Sequence, residues 1–307
     1  MLRVNVFDKS QNAICSVAPL SLTLQMSLKI PADDVTVIIP YKKYKTGATI
    51  TVTENESLIF RGIVDEEQII LNKTGKFIKY VARSMAGLLL DNQAYPMEIG
   101  NTTQTFLGNT YLEPLGIEFE KGEDIYNGVI NIEKGMTVYD VLYTYCKNNF
   151  GVIPRMDSKG VFWFRGGQTE KTVLFSNEKG VNYSSLTEYK KPCEQISSVF
   201  VMLDGQSYNY EINNPEAEDT GIVRRRYLDG SINSNTPALM AEEMINKSNC
   251  NYLSVKVTCP YFLADVLGAT ARVDAVDMEK YTFIISELKY VLNSKGEETT
   301  LMLERKM

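Results

Sequence analysis

The side chains that most often do chemistry are scarce in this sequence, and histidine is absent. Histidine is the commonest general base and metal ligand near neutral pH. Without it there is no Ser–His–Asp triad, and a zinc site would have to rely on cysteines and carboxylates. A Gly-x-Ser-x-Gly nucleophile elbow and a Gly-rich phosphate-binding loop are also missing from the sequence. We therefore expect no cofactor and no metal ion.

The cysteines give the same indication, because their spacing suits neither a metal site nor a disulfide framework. There are five, and none forms a Cys-x-x-Cys pair: Cys15, Cys146, Cys193, Cys250 and Cys259. The count is odd, and the N-terminus lacks the apolar core of a signal peptide. We interpret them as reduced, mostly buried thiols of a cytoplasmic protein.

Paired carboxylates are the remaining route to catalysis, because a glycosidase needs only two Asp or Glu residues flanking its substrate bond. Among 38 acidic residues, Glu66-Glu67 and Glu242-Glu243 are adjacent pairs that could be considered. Neighbours on a strand or helix point in different directions, so we interpret both pairs as solvated surface. The sequence thus predicts a protein that is not an enzyme.

The charge balance argues against two classes of partner. A net charge of −6 and an isoelectric point near 5.1 disfavour binding to nucleic acid or to an anionic membrane. We interpret the basic run Arg224-Arg225-Arg226 as solvated residues around an exposed strand. No stretch approaches the roughly 18 apolar residues of a membrane span. We expect no sequence-specific nucleic-acid binding and no membrane insertion.

One tyrosine cluster is the best candidate for a binding surface. The chain has 18 tyrosines, and Tyr41, Lys42, Lys43 and Tyr44 follow a predicted strand that stops at Pro40. Tyrosine is enriched at protein interfaces. These four residues are the candidate protein interface, and an ordinary strand-to-turn edge is the alternative interpretation.

A long internal repeat provides the framework for these residues. With a shift of 221 positions, residues 47–83 align without a gap on residues 268–304. Both stretches predict a strand, a polar turn, an apolar strand, an Asn-x-x-Gly turn and a final alternating strand. The identical pairs include Gly47/Gly268, Thr49/Thr270, Val52/Val273, Ile63/Ile284, Glu66/Glu287, Leu71/Leu292, Asn72/Asn293 and Gly75/Gly296. One small β module is therefore used twice.

Other patterns complete the expected fold. Apolar residues alternate from Leu20 to Ile30 and predict a half-buried strand. Thr137 and Asp140 have capping-box spacing, and an amphipathic stripe follows them. The members of that stripe are Val138, Val141, Leu142, Tyr145 and Cys146.

The predicted fold class is mainly β, α+β overall, with two similar small antiparallel β-barrel modules and an inserted α+β domain. The expected boundaries are 1–96 for the first module, 97–180 for the inserted domain and 181–307 for the second module with a helix. That helix is expected to begin at Thr236-Pro237, with apolar contacts from Leu239, Met240 and Ile245. We expect a hairpin turn at Asp204-Gly205 and a mobile acidic loop at 213–221.

Two segments carry a family resemblance. Phe60-Arg61-Gly62-Ile63-Val64-Asp65 leads through Tyr80-Val81-Ala82-Arg83-Ser84 to Ala94-Tyr95-Pro96, and a later segment runs from Ala264 to Gly268 before a last hairpin, 281–305. This pattern resembles the late-control-D-like family of baseplate (tail) hub proteins from contractile-tailed phages and phage-tail-like particles. Relatives often have Gly-Asp where this chain has Gly47-Ala48 and Gly268-Ala269.

The resemblance implies a homotrimer whose duplicated barrels form a pseudo-sixfold ring. Its implied partners are the hexameric tail tube protein, the trimeric spike protein and other baseplate proteins. It also implies assembly in the bacterial cytoplasm, followed by incorporation into the baseplate of a virion or tail-like particle. Alternatives are the hub of a non-contractile tail, a cell-wall glycosidase using paired carboxylates, and a carbohydrate-binding module.

Overall fold

Strands dominate the structure, a computed structural model, and the chain divides into two compact units. The described residues are 1–42, 46–166, 171–202, 207–218, 221, 223–229, 237–275 and 280–306. The first unit comprises Met1–Glu170, Pro260–Gly268 and Glu287–Thr299; the second comprises Lys171–Cys259, Ala269–Ser286 and Thr300–Met307. The predicted boundaries at 96/97 and 180/181 remain predictions.

In its described residues the first unit has twelve strands of its own. They are β1 (Leu2–Phe7), β2 (Ala13–Val17), β3 (Ser21–Ser27), β4 (Asp34–Pro40), β5 (Thr49–Glu54), β6 (Ser57–Asn72), β7 (Gly75–Ser84), β8 (Glu98–Thr102), β9 (Glu118–Phe119), β10 (Tyr126–Asn131), β11 (Arg155–Met156) and β12 (Val161–Trp163). Its helices are α1 (Gly87–Asp91), α2 (Gln104–Leu107) and α3 (Val138–Phe150), with a π-helical turn at Gly108–Leu112 and a 3-10 turn at Glu113–Leu115.

The second unit follows a similar plan, with a helix between its strands. Its elements are β13 (Thr172–Phe175), β14 (Ser185–Lys190), a 3-10 turn (Pro192–Glu194), β15 (Ser198–Met202), β16 (Tyr210–Asn213), α4 (Pro215–Glu218), β17 (Arg225–Asp229), α5 (Pro237–Tyr252), β18 (Leu253–Cys259) and β19 (Thr270–Val273). The last two strands, β20 (Thr282–Asn293) and β21 (Gly296–Arg305), contribute residues to both units.

The predicted repeat is confirmed at the level of strand register. The first repeat is β5–β6–β7 and the second is β19–β20–β21, and a shift of 221 carries the start of β5 to that of β19 and both ends of β7 to those of β21. Thr49 pairs with Ile63 in the first repeat, and Thr270 pairs with Ile284 in the second. The same turn closes both hairpins: Asn72 Oδ1 accepts from the backbone N–H of Thr74 at 2.9 Å. Asn293 does the same for Lys295 at 2.8 Å.

The mainly β, α+β class is confirmed, but the prediction of closed barrels is wrong. Among the described strands, β2 and β14 end their sheet and each has a single neighbour. A small barrel closes when its first and last strands pair. Here β6 is 16 residues long and pairs with β5 only as far as Ile63. The strands of each repeat therefore spread into an open sheet.

The strand predicted from Leu20 to Ile30 is confirmed in its centre and wrong at its ends. Leu22 and Leu24 are buried in β3, whereas Leu20 and Ile30 are exposed. The alternation fails at Ser27, which is buried although polar. Its backbone N–H donates to Asp33 Oδ1 at 3.3 Å, and its carbonyl accepts from Arg155 Nη1 at 3.0 Å. Those polar contacts, and not an apolar face, fix the end of the strand.

Helix α3 forms as predicted. The backbone N–H of Asp140 donates to Thr137 Oγ1 at 3.1 Å, and that of Thr137 donates to Asp140 Oδ2 at 2.8 Å, which completes the capping box. All five residues of the predicted stripe are buried. The helix ends at Gly151, whose φ of 70° is the left-handed conformation that glycine adopts without strain.

The second unit differs from the prediction in two places. The acidic loop expected at 213–221 contains helix α4 at Pro215–Glu218, and its first turn forms because Asn214 Oδ1 accepts from the N–H of Glu216 at 3.2 Å. Leu239, which was expected to supply an apolar contact of α5, is exposed, whereas Ala241 of the same helix is buried. The predicted turn at Asp204-Gly205 and the cap at Thr236 lie outside the described residues.

Candidate interface surfaces

The predicted interface segment lies beside the long β6–β7 hairpin. The backbone N–H of Tyr41 donates to the carbonyl of Lys76 at 3.1 Å, and Lys76 Nζ lies 3.7 Å from the centre of the Tyr41 ring. This cation–π contact leaves Tyr41 half-buried, while Lys42 is exposed. Lys43 and Tyr44 lie outside the described residues. The described part of the segment therefore lines one side of this hairpin.

The outer half of β6 carries exposed apolar side chains. Ile69 and Leu71 are 58% and 77% exposed. Large apolar side chains in neighbouring same-face positions on a strand mark an interaction surface more often than isolated ones do. Sequence analysis singled out Tyr41 and missed these two residues, although their alternation was already part of the repeat.

A charged cluster fixes the bend between the inner and outer halves of β6. The pairing of β6 with β7 shifts register between Val64 and Glu66, so Asp65 is the extra residue of a β-bulge. Arg83 Nε donates to Asp65 Oδ2 at 2.6 Å and Arg83 Nη2 donates to Asp91 Oδ2 at 2.8 Å. These hydrogen bonds raise the pKa of Arg83. The second repeat has Ser286 and Glu304 at the positions of Asp65 and Arg83, so this cluster belongs to the first repeat alone.

The carboxylate pairs considered for catalysis are held separately. Glu66 Oε1 accepts from Gln68 Nε2 at 2.6 Å, whereas Glu67 Oε2 accepts from the backbone N–H of Gly47 at 3.1 Å. Glu242 and Glu243 are both exposed on α5. Neither arrangement brings two carboxylates to opposite sides of a common space.

The cysteines carry no reactive site in their described surroundings. All five are unpaired, and Cys15, Cys146 and Cys259 are buried, which confirms that part of the expectation. Burial raises the pKa of Cys146 and raises that of Cys259 to about 11, so both remain thiols. Within the described residues, no group of three or more His, Cys, Asp or Glu side chains could hold a metal ion.

A cleft of about 790 Å³ opens in the first unit. Its apolar lining includes Leu24, Met26, Ile59, Phe150, Val152 and Phe262. Asp157, at its rim, accepts from the N–H groups of Lys159 and Val161 at 2.9 Å each and from Trp163 Nε1 at 3.1 Å. Trp163 is thus held by its own hairpin, and the Asp157 carboxylate stabilises a turn.

The surface around β17 in the second unit carries exposed basic side chains. Arg225 and Arg226 are exposed on β17, an outer strand that pairs with β15. A shallow pocket of about 300 Å³ beside them is lined by Ser197, Asn213 and Glu218 among others. None of the described helices is long and apolar enough to cross a membrane.

Of the comparisons with known proteins, only the one with solved structures gives matches. No known protein-family profile matches the sequence, and no curated protein matches it. The 43 kDa tail protein of prophage MuSo2 from Shewanella oneidensis aligns with 99% of this chain and 98% of its own, at a TM-score of 0.78 and 14% identity. A tail protein from Neisseria meningitidis MC58 covers 99% and 96%, at 0.74 and 16%.

The fold is that of phage tail proteins. A component of the Escherichia coli type VI secretion system, itself described as structurally similar to tail proteins of bacteriophage T4, also aligns. It covers 95% of this chain and 74% of its own length, at a TM-score of 0.54 and 10% identity. The resemblance first identified from the residues is thereby confirmed at the level of the fold.

Proposed function

We propose that this protein is the structural hub at the tip of a contractile tail, in a phage or a phage-tail-like particle. Three copies of the chain form a homotrimer, and their six modules form a pseudo-sixfold ring. The ring joins the hexameric tail tube to the trimeric spike and contacts other baseplate proteins. Assembly takes place in the bacterial cytoplasm, and the role is structural and not catalytic.

One observation carries the proposal: the two repeats keep the same strand register. Thr49 and Thr270 pair with residues exactly 221 positions apart, and both hairpins close with the same turn. Two modules in each of three chains give six near-equivalent positions, which is how a threefold assembly meets a sixfold tube. Alignment over the whole length of phage tail proteins supports the same role.

The proposed contact surface starts from the tyrosine segment. Tyr41, Lys42, Lys43 and Tyr44 together form the candidate interface, and the contact of Tyr41 with Lys76 places its described part against the β6–β7 hairpin. The exposed Ile69 and Leu71 on that hairpin extend the candidate surface.

The test is deletion of the gene in the strain that produces the particle, followed by electron microscopy. We expect no complete tails, and restored tails when the intact gene is supplied on a plasmid. A peptide tag on the protein should be labelled by gold at the tip of the tail and nowhere along the tube. Labelling along the tube, or normal tails in the deletion strain, would overturn the proposal.

Two further readings separate this proposal from its alternatives. Labelled tails without a sheath would identify a non-contractile particle. Cell-wall lysis by the purified protein would favour the glycosidase; we expect none, and lysis lost on substitution of a cleft carboxylate would contradict a purely structural role.

A further inference from the structure

The equivalence of the two repeats extends to the strands beside them. The order β1-β5-β6-β7-β4-β3 around the first repeat corresponds to β13-β19-β20-β21-β18-β14 around the second. In this correspondence β3 matches β14, and both begin with the same residues: Ser21-Leu22-Thr23 and Ser185-Leu186-Thr187. Each pairs antiparallel with the next strand of its set, β4 or β18. The sequence alone carries this signal, as a three-residue match whose offset differs from that of the long repeat.

One junction is already formed inside the chain. The outer half of β20 pairs antiparallel with β3, from Glu287 opposite Ser27 to Leu292 opposite Leu22. Both segments belong to the first unit. Tyr290 is fully buried there, and Leu288 is 3% exposed. The second repeat thus has a strand on the edge of its outer half.

The equivalent edge of the first repeat has no neighbouring strand among the described residues. Within the described residues, β6 has only β5 and β7 as neighbours, and β5 ends its pairing at Ile63. The outer half of β6 therefore offers one open edge. Ile69, at the position of the buried Tyr290, is 58% exposed, and Leu71, at the position of Leu292, is 77% exposed. Equivalent strand positions are thus paired with β3 in the second repeat and lack a partner strand in the described part of the first.

Strand β14 offers the complementary open edge. It ends the strand order and pairs only with β18 among the described strands. An open strand edge presents unpaired N–H and C=O groups to any strand that can reach it. The residues on this edge are Leu186, Thr187, Glu188 and Tyr189.

We propose that the outer half of β6 in one copy of the chain pairs antiparallel with β14 in a second copy. The inference rests on the proposed homotrimer and specifies its contact. Aligning Leu186 with Leu22 transfers the register of the internal junction. Leu71 then lies opposite Leu186, Ile70 opposite Thr187 and Gln68 opposite Tyr189.

The charges at the other end of this register are complementary. The same alignment sets Glu67 opposite Lys190 on one face of the sheet and Glu66 opposite Lys191 on the other, and each pair is a direct cross-strand neighbour pair. Lys190 Nζ lies 3.2 Å from Glu188 Oε1 in the isolated chain, so Glu188, which faces Ile69, keeps a counter-charge. Opposite charges at one end and a leucine pair at the other define a single register.

Such a contact uses two different surfaces of the chain, so it is heterologous and either closes into a ring or extends as an open filament. In a ring of three, the internal β20–β3 junctions and the β6–β14 junctions alternate. No copy would then keep either of these two open edges.

Cysteine cross-linking tests the register. Ile70→Cys with Thr187→Cys, in a Cys193→Ser background because Cys193 is exposed, should give disulfide-linked trimers on a denaturing, non-reducing gel. The matched control is Thr23→Cys with Val291→Cys, the equivalent pair of the internal junction, which should link within one chain. Ile70→Cys with Glu188→Cys is out of register and should link far less.

The outcomes separate this inference from the proposed function. Trimers by light scattering without the 70–187 link would overturn the strand pairing and leave the trimeric hub standing. Disulfide-linked products that continue beyond three chains, as in an open filament, would support the strand pairing and overturn the closed trimer. Absence of both link and trimer, at the highest soluble concentration and under slow oxidation, would overturn the pairing.

A charge exchange tests the same contact without cysteines. Glu66→Lys should weaken association about tenfold, and so should Lys191→Glu, because each places like charges opposite one another. The double variant should recover most of the wild-type affinity. Weakening that the double variant leaves uncorrected would argue against this register.

Discussion

Helices α3 and α5 are of similar length, yet opposite chemistry anchors them. Under α3 lies a cluster of buried aromatic and aliphatic side chains, in which the rings of Tyr145 and Phe162 approach that of Phe164 at 5.9 and 5.1 Å between centroids. Under α5 the buried apolar cluster is small: Ile196, Val199, Val201, Ala241 and Ile245. Buried amides supply the rest of its contacts.

Those amides form one connected set. Gln195 Nε2 and Asn214 Nδ2 both donate to Asn249 Oδ1, at 3.1 and 2.8 Å, and Asn249 Nδ2 donates to Asn214 Oδ1 at 3.1 Å. Ser248 Oγ accepts from the backbone N–H of Ile196 at 3.2 Å. Apolar contact rewards burial in many arrangements, whereas each of these donors needs one acceptor in one place. Helix α3 is thus anchored by a large packed apolar area, and α5 by hydrogen bonds between groups in fixed positions.

The largest effect should follow from opening the aromatic cluster. Phe164→Ala removes a fully buried ring, and we expect the free energy of unfolding to fall by about 4 kcal/mol. Urea unfolding followed by circular dichroism measures it. The control is Phe106→Ala at a half-exposed ring, which should cost little. Equal losses in the two variants would mean that this cluster does not anchor α3.

The amide set should respond to the loss of one member. Asn249→Ala leaves the amides of Gln195 and Asn214 buried without this partner, and we expect a loss of about 2 kcal/mol. Asn246→Ala, on the exposed face of the same helix, is the control. If Asn249→Ala lowers the free energy of unfolding no more than Asn246→Ala does, the amide hydrogen bonds do not anchor α5.

The buried Asp33 carboxylate, which lies beside Arg155 in the first unit, makes stability depend on pH. Burial raises the pKa of Asp33 to about 6, although the charge of Arg155 and the N–H of Ser27 lower it. The folded state then binds a proton more readily than the unfolded chain, whose Asp titrates near 3.8. This contribution to stability is fully present below 3.8 and is lost as pH rises through 6.

Between pH 7.5 and pH 5 the contribution of Asp33 should increase by about 1.4 kcal/mol. The quantity to measure is the difference in this pH response between the wild type and Asp33→Asn, by chemical unfolding at both pH values. The same response in both proteins would show that Asp33 titrates normally in the folded state.

The smallest expected effect concerns the start of α3. Thr137→Ala removes the hydroxyl that accepts from the N–H of Asp140, and we expect a loss of about 1 kcal/mol. Thr137→Ser keeps that hydroxyl and should retain most of the stability. If serine does not rescue, the loss comes from the threonine methyl group and not from the cap.

Features that depend on residues close together in the sequence could be predicted. The capping box of Thr137 and Asp140, the stripe of α3 and the turns at Asn72 and Asn293 depend on residues within one helix or hairpin. The repeat gave the strand pairing of β19 with β20 as soon as that of β5 with β6 was assumed. Local periodicity and self-similarity therefore carried most of the fold.

Features set by distant partners were not predictable. Ser27 is buried because Asp33 and Arg155 reach it from other segments, and the amides of Gln195, Asn214 and Asn249 are 54 positions apart at their widest. The candidate surface shows the same limit. Alternation places Ile69 and Leu71 on one face of a strand, but only the folded chain shows that both side chains are exposed and that the strand edge beside them is open.

The pairing of β20 with β3 inside one chain has a consequence for the concentration at which a ring could assemble. Six separate modules would need five encounters between molecules to form a ring of six joints, and each encounter costs about 4–15 kcal/mol of translational and rotational freedom. In the proposed ring, half of these joints form when the chain folds and need no encounter. Tandem duplication would thus let scarce subunits build a hexagonal platform that their single-module counterparts could build only when abundant.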